Sequence, residues 1–232
     1  EHRFSRVRVG ADLSSSDYNY DGAQNFRDNT DTTLRGHLVA DITPRVGVLF
    51  EASVNNRDYD NTPSLNSDAQ SYLVGATVNT DLLHGQVAVG QFKRDYDNPA
   101  VGTFEGLAVE GNLEWYATEL TTVTFDARRD ADDQIGLTSG LPFVTSQFGV
   151  HVDHELLRNL ILSAGAMTGK RDYDSIDRTD DFTAFDAGAD YVLNRRVAVR
   201  FRYEHQEVDS SGSAAYRDFD ANTFTVGLGL RL

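Results

Sequence analysis

VAVRFRYEH, residues 197–205, places Val197, Val199, Phe201 and Tyr203 on one parity and Arg200, Arg202 and Glu204 on the other. Successive side chains of a strand leave on opposite sides, so this segment has one apolar and one charged face. The same alternation returns in RVRVGADL (6–13), LRGHLVADI (34–42), VGVLFEASV (46–54), SYLVGATVN (71–79), QVAVGQFKR (86–94) and LAVEGNLEW (107–115). It continues in TVTFDAR (122–128), QFGVHVD (147–153), LILSAGAMT (160–168), FDAGADYVL (185–193) and FTVGLGLRL (224–232). Twelve strands are expected, each about nine to eleven residues long as a tilted membrane crossing needs. HELLRNLILSAGAM (154–167) also spaces Leu156, Leu157, Leu160, Ile161 and Ala164 as a helix would. The rhythm of the neighbouring hairpins instead favours a turn followed by a strand.

The connections are unequal. DITPRV, NTDLLHG, YATELT, HELLRN and LNRR are short, whereas SSSDYNYDGAQNFRDNTDT (14–32) and DNTPSLNSDAQ (60–70) are long and polar. Short turns at one end and long loops at the other suit an up-and-down barrel. No Gly/Ser linker or composition break divides the chain, so residues 1–232 are expected to form one domain. Nineteen glycines against four prolines, with Tyr, Phe, Val and Thr common, agree with β structure. The net charge of −15 argues against a nucleic-acid partner, which would need clustered Lys and Arg. Cysteine is absent, which removes disulfides and thiolate metal sites. The first residues carry no basic-then-apolar leader, so any secretory signal is expected to have been removed.

Parity sorts the two faces. Val7, Val9, Leu13, Leu34, Leu38, Val46, Phe50, Leu107, Trp115, Phe148, Phe201 and Phe224 belong to uninterrupted apolar runs. The opposite face holds Arg6, Arg8, Asp12, Arg35, His37, Asp41, Glu51, Glu110, Glu114, Asp126, Arg128, His151, Asp153, Asp186, Asp190, Arg200, Arg202, Glu204 and Arg231. A soluble barrel would turn the apolar face inward; a membrane barrel turns it to lipid and the charges to a wet interior. A pattern carried by every strand, the strand lengths and the asymmetric connections favour the membrane barrel.

FTVGLGLRL alternates Phe224, Val226, Leu228, Leu230 and Leu232 to its last residue. This resembles the C-terminal assembly signal of bacterial outer-membrane β-barrels, with Leu232 where an aromatic is usual. DYVLNRRVAVRFRYEHQEVDSSGS (190–213) and YRDFDANTFTVGLGLRL (216–232) together resemble a β-barrel porin family linked to exopolysaccharide secretion. The resemblance implies an integral protein of the Gram-negative outer membrane, in contact with lipid and lipopolysaccharide. It also implies a saccharide-type solute, and leaves room for an envelope partner or an oligomer.

The chemistry of the charged face has several readings. HVDHE (151–155) combines His and carboxylates, but it approaches a short-turn end, so an interior polar network is expected rather than an enzyme. Asp-rich RDADDQ (129–134) and DSIDRTDD (174–181) lack the spacing of a calcium loop, and no cofactor or metal site is expected. Arg6, Arg8, Arg35, Arg128, Arg200 and Arg202, with Glu110, Glu114 and Asp126, are candidates for lining a lumen and setting its selectivity. These arginines can equally pair with the carboxylates into a closed, salt-bridged interior. A porin-like channel for small or saccharide-type solutes and a non-conducting barrel that binds lipopolysaccharide, polysaccharide or a partner are both consistent with the sequence. Finally, NRDYDN (56–61), KRDYDN (93–98), KRDYDS (170–175) and YRDFDA (216–221) repeat one phrase. Parity puts Arg57, Arg94 and Arg171 on the charged face at the long-loop ends, with Arg217 arriving at the same level from the last loop. The repeat reads as strand-exit punctuation at an extracellular rim, with its aromatic either capping the strand end or joining an outer girdle.

Overall fold

A computed structural model describes residues 2–99, 101–132, 142–174 and 176–230 of the chain. Its strands are β1 (His2–Phe4), β2 (Val7–Tyr18), β3 (Asn29–Thr43), β4 (Val46–Tyr59), β5 (Ser67–Asn79), β6 (Leu83–Tyr96) and β7 (Thr103–Thr118). They continue as β8 (Thr121–Asp132), β9 (Phe143–Leu157), β10 (Leu160–Tyr173), β11 (Arg178–Asn194), β12 (Val197–Ser211) and β13 (Phe219–Leu230). All belong to one sheet whose order follows the sequence. The expected twelve strands are β2–β13; β1 is a three-residue addition folded back on β2 through Ser5, whose φ of 53° permits the reversal. Residues 154–167 form the end of β9, a turn at Arg158 and Asn159, and the start of β10, so the strand reading holds.

Four of the five short connections share a local cause. Thr43 Oγ1 accepts the N–H groups of Arg45 (3.2 Å) and Val46 (3.0 Å). Thr80 Oγ1 accepts that of Leu83 (2.9 Å), Thr118 that of Leu120 (3.2 Å), and Asn194 Oδ1 that of Arg196 (2.9 Å). A short polar side chain that bonds backbone two or three residues ahead stands in for the ladder as the chain reverses.

The strands are longer than expected, at 12 to 17 residues for β2–β13. Much of the added length lies at the long-loop end, in polar stretches such as Asn29–Thr33 and Asn55–Tyr59. These residues keep the ladder: Asn29 opposes Tyr59 and Asp31 opposes Arg57. The apolar half of the alternation stops there because a strand that has left the hydrocarbon need not present apolar side chains outward.

The chain divides into two compact units. The first comprises Glu1–Asn79, Gln86–Glu110 and Arg129–Val144; the second comprises Thr80–Gly85, Gly111–Arg128 and Thr145–Leu232. In both, the apolar face is the exposed one: Leu13, Phe50, Val54 and Leu107 in the first, Phe148, Phe185, Phe201 and Val226 in the second. Soluble monomers seldom leave so continuous an apolar surface in water. In the first unit, Val39, Leu49, Leu73, Ala88, Phe92, Ala108 and Ala131 pack into a buried cluster, with Val144 against it.

Candidate functional site

The polar face carries the titratable groups, and each unit arranges them differently. In the first unit, β2, β3 and β4 lie in register, so Asp12 opposes Arg35, Arg35 opposes Ser53, and His37 opposes Glu51. Arg35 reaches diagonally to Glu51 (3.4 Å) and across to Glu110 (3.7 Å), whereas His37 turns to Asp12 (3.8 Å). Arg8 meets Asp41 at 3.2 Å. Glu51 is buried and Arg35 half exposed, so the pair is solvated from one side only. A buried carboxylate is tolerable because a guanidinium faces it.

Near the long loops the same unit holds a denser network. Arg57 donates to Asp31 at 2.7 Å, and Asn55 Nδ2 donates to the same carboxylate at 2.6 Å. Arg94 donates to Ser67 Oγ (2.9 Å) and Asn55 Oδ1 (3.2 Å). Tyr59 and Tyr96 lie on this face, only 5% and 8% exposed, and each is the last residue of its strand. The repeat thus places Arg and Tyr together on the polar face, and its aromatic is not part of an outer girdle in β4 or β6. Its other parity carries Lys93 with Asp95 (2.7 Å) on β6 and Lys170 with Asp172 (2.9 Å) on β10.

In the second unit, Asp190 holds two guanidiniums, Arg200 at 3.2 Å and Arg202 at 2.7 Å. Arg200 and Arg202 remain 68% and 43% exposed, so each presents free donor surface. His151 stands between Asp153 (3.5 Å) and Asp186 (3.6 Å). It reaches Asp186 across β10 because that strand places Gly165 opposite Asp186; a Cβ there would lie 2.2 Å from Asp186 Oδ1 and 2.9 Å from His151 Nδ1. His154 belongs to the other face and bonds Thr121 (3.0 Å). Asn112 donates to Asp126 (2.7 Å), and Glu114 accepts from Tyr116 (2.9 Å).

The rim of the second unit contains a pair that the sequence reading passed over. Arg178 donates Nε to Asp180 Oδ1 at 2.8 Å, and both side chains are buried, at 8% and 2% exposure. The guanidinium lies 4.6 Å from the Tyr173 ring and 5.3 Å from the Tyr216 ring. Ser210 Oγ adds a bond to Asp180 (2.6 Å). Within DSIDRTDD only the two-residue spacing of Arg178 and Asp180 signalled a shared strand face. Arg171 stacks over Phe182 at 4.8 Å.

The remaining candidates are less closely gathered. Arg6 occupies the turn between β1 and β2, Arg128 follows Asp126 along β8, and Arg217 stands exposed in the connection before β13. Arg231 and Leu232 lie outside the described residues, as do Asp133 and Gln134 of the 129–134 stretch.

The model of the family described as Putative beta-barrel porin 2 matches residues 1–232. The chain belongs to this family. Its fold is therefore a transmembrane, antiparallel up-and-down β-barrel of twelve principal strands, and its place is the bacterial outer membrane as an integral porin-like protein. Short turns mark the periplasmic end and long loops the extracellular end. The apolar face meets lipid and the polar face the barrel interior.

Three solved structures are similar in outline. The NanC porin in a rhombohedral crystal form is 16% identical, with 97% of this chain and 99% of that chain covered and a TM-score of 0.39. OmpT, an outer membrane protein of Vibrio cholerae in a trimer form, is 10% identical, with 98% and 85% covered and a TM-score of 0.48. The beta domain of the Bordetella autotransporter BrkA is 12% identical, with 98% and 100% covered and a TM-score of 0.34. Comparison with curated proteins returned no match.

Proposed function

We propose that this family member is a passive, non-enzymatic channel for small or saccharide-type solutes, with chains of the exopolysaccharide class as the first to test. The observation that carries the reading is the exposed Arg200–Arg202 pair sharing one carboxylate, Asp190. Two exposed guanidiniums that share one carboxylate keep N–H donors to offer, with Asp186 and Glu204 at the next position along the same face. Gly227, opposite Arg200, adds no side chain to cover them. Such a wall favours acidic solutes by bidentate hydrogen bonding. Arg35, Arg128 and the carboxylates Glu110, Glu114 and Asp126 complete the proposed lumen set.

Planar-bilayer conductance tests this reading. Folded protein should give ion steps, and Arg200→Ser with Arg202→Ser should move the reversal potential toward cation selectivity. Absence of current from well-folded protein, with neutral solutes also excluded in liposome swelling, ends the channel reading. The alternative, a non-conducting barrel that binds envelope components, has its own support in the packed polar face of the first unit. There Leu49 and Phe92 are 2% and 4% exposed and Arg8 and Arg35 are paired with carboxylates.

A further inference from the structure

The lipid-facing sides of β5, β6 and β7 change character along each strand. On β5 the outward residues Val78, Ala76, Val74 and Tyr72 give way to Gln70 and Asp68. On β6, Val87 and Val89 give way to Gln91, Lys93 and Asp95; on β7, Val109 and Leu107 give way to Glu105. In a membrane barrel this change marks the passage from hydrocarbon to the headgroup layer. A groove of about 450 Å³ straddles it, with Tyr72 and Leu107 on the apolar side and Gln70, Gln91, Lys93 and Glu105 on the polar side. A neighbouring groove of about 430 Å³ shares Gln70 and is likewise split, Leu34 and Val54 below, Asn56 and Asp68 above.

We propose that this surface binds one phosphorylated glycolipid of the outer leaflet. Its acyl chains lie against Tyr72 and Leu107, its sugar hydroxyls bond Gln70, Gln91 and Glu105, and a phosphate meets the Lys93 ammonium. Hydroxyl chemistry separates the lipid classes. Asp68, Asp95 and Glu105 outnumber Lys93, so any anionic lipid meets a net-negative surface with one cation, and a simple phospholipid brings few other polar groups to offset that. Sugar hydroxyls instead donate to carboxylates and amide oxygens and accept from amide N–H groups, which is the chemistry this lining offers. The ammonium is free to move: Asp95 also accepts from Thr103 at 2.6 Å, so it keeps a partner when Lys93 swings to a phosphate. The residue type fits as well. The chain has only two lysines, Lys93 and Lys170, and both stand on the outward parity three residues before their strand ends. A flexible four-carbon stem carrying a compact charge suits a side chain rooted beside hydrocarbon and aimed at headgroups. The arginines of the same phrase, Arg94 and Arg171, occupy the opposite face.

The inference rests on the outer-membrane placement and not on conduction, so a barrel that carries no current would leave it standing. Native mass spectrometry of the folded full chain in detergent, with added short-sugar lipopolysaccharide or phosphatidylglycerol, tests it. One lipopolysaccharide should stay bound, phosphatidylglycerol at least about tenfold less, and Lys93→Gln should cut lipopolysaccharide retention about tenfold. Gln70→Ala should weaken it by a smaller factor. Heat-modifiability gels on both variants should show the wild-type folded band. Unchanged retention in both variants, or equal retention of phosphatidylglycerol, overturns the proposal.

Discussion

The strands of the first unit and those of the second are written in one alternation, yet their polar faces differ. In the first, Leu49, Leu73 and Phe92 fill much of the space between the charged residues, and Glu51 and Arg94 are buried with them, although Arg35 and Asp12 stay 44% and 75% exposed. In the second, Arg200, Arg202, Asp153 and Asp186 are between 42% and 68% exposed. The difference stops at the rim, where Arg178 and Asp180 of the second unit are as deeply buried as anything in the first. Parity therefore decides which face a residue joins, while the bulk of the polar-face side chains decides whether that face is a packed wall or an open one. A selectivity function belongs on the open wall, where guanidiniums keep donors to offer.

Removing one arginine from each environment is the sharpest way to break this comparison. Arg178→Ala strands Asp180 in a buried site and should cost about 3–5 kcal/mol of folding stability. Arg200→Ala breaks a mostly solvated pair and should cost no more than about 1 kcal/mol. Urea unfolding in lipid vesicles would measure both. Equal losses would mean that the two sites are equally buried and that the open-wall description fails.

A second contrast uses glycine. On β6, a Cβ on Gly90 would lie 1.8 Å from the Tyr72 carbonyl oxygen, a backbone atom that cannot move aside alone. On β13, a Cβ on Gly227 would stand 3.8 Å from Arg200 Cβ, an ordinary contact. Gly90→Val should lower stability by about 3 kcal/mol and reduce the yield of the heat-modifiable band. Gly227→Val should fold normally and act only on conductance, by narrowing the surface beside Arg200. Normal folding of Gly90→Val would show that β5 and β6 are not held that closely.

Much of this was legible in the sequence, for a physical reason. Lipid enforces an apolar residue at every second position, so the principal strands and the face of most of their residues could be read from alternation, with the rhythm of the hairpins needed only for residues 154–167. The signal ends where lipid ends. The continuations at Asn29–Thr33 and Asn55–Tyr59 are laddered strand, but nothing forces their outward side chains to be apolar, so residues up to Thr32 read as loop and Asn55–Tyr59 as no more than a strand exit. Arg178 and Asp180 fell in such a stretch. Packing on the polar face was also hidden, because Phe92 on β6 pairs with the space above Gly106 on β7, and sequence spacing does not reveal which small residue will sit beside a large one. The repeated phrase was half read. Its arginines were assigned to the polar face, but the outward Lys–Asp pairs of β6 and β10 emerge only with the side chains in place.

The smallest expected effect concerns the extracellular loops of the second unit. Asp177 accepts the Ser213 backbone N–H at 2.9 Å, and Ala214 N–H bonds the Asp177 carbonyl at 3.0 Å, tying the 174–177 connection to the 212–218 connection. The bonds from the Ser213 backbone and side chain hold the Asp177 carboxyl below the ordinary aspartate value. A group whose folded-state pKa is depressed contributes stability above its unfolded pKa, and loses it as pH falls through the folded value. The loop tie should therefore be intact at neutral pH and persist slightly below the aspartate range near about 3.9, then release. The Ser213 amide chemical shift should report that midpoint, lower than the midpoints of freely exposed aspartates. Asp177→Asn should remove the titration while leaving the barrel's unfolding midpoint unchanged. A Ser213 shift that titrates together with the exposed aspartates would show that the two loops are not joined.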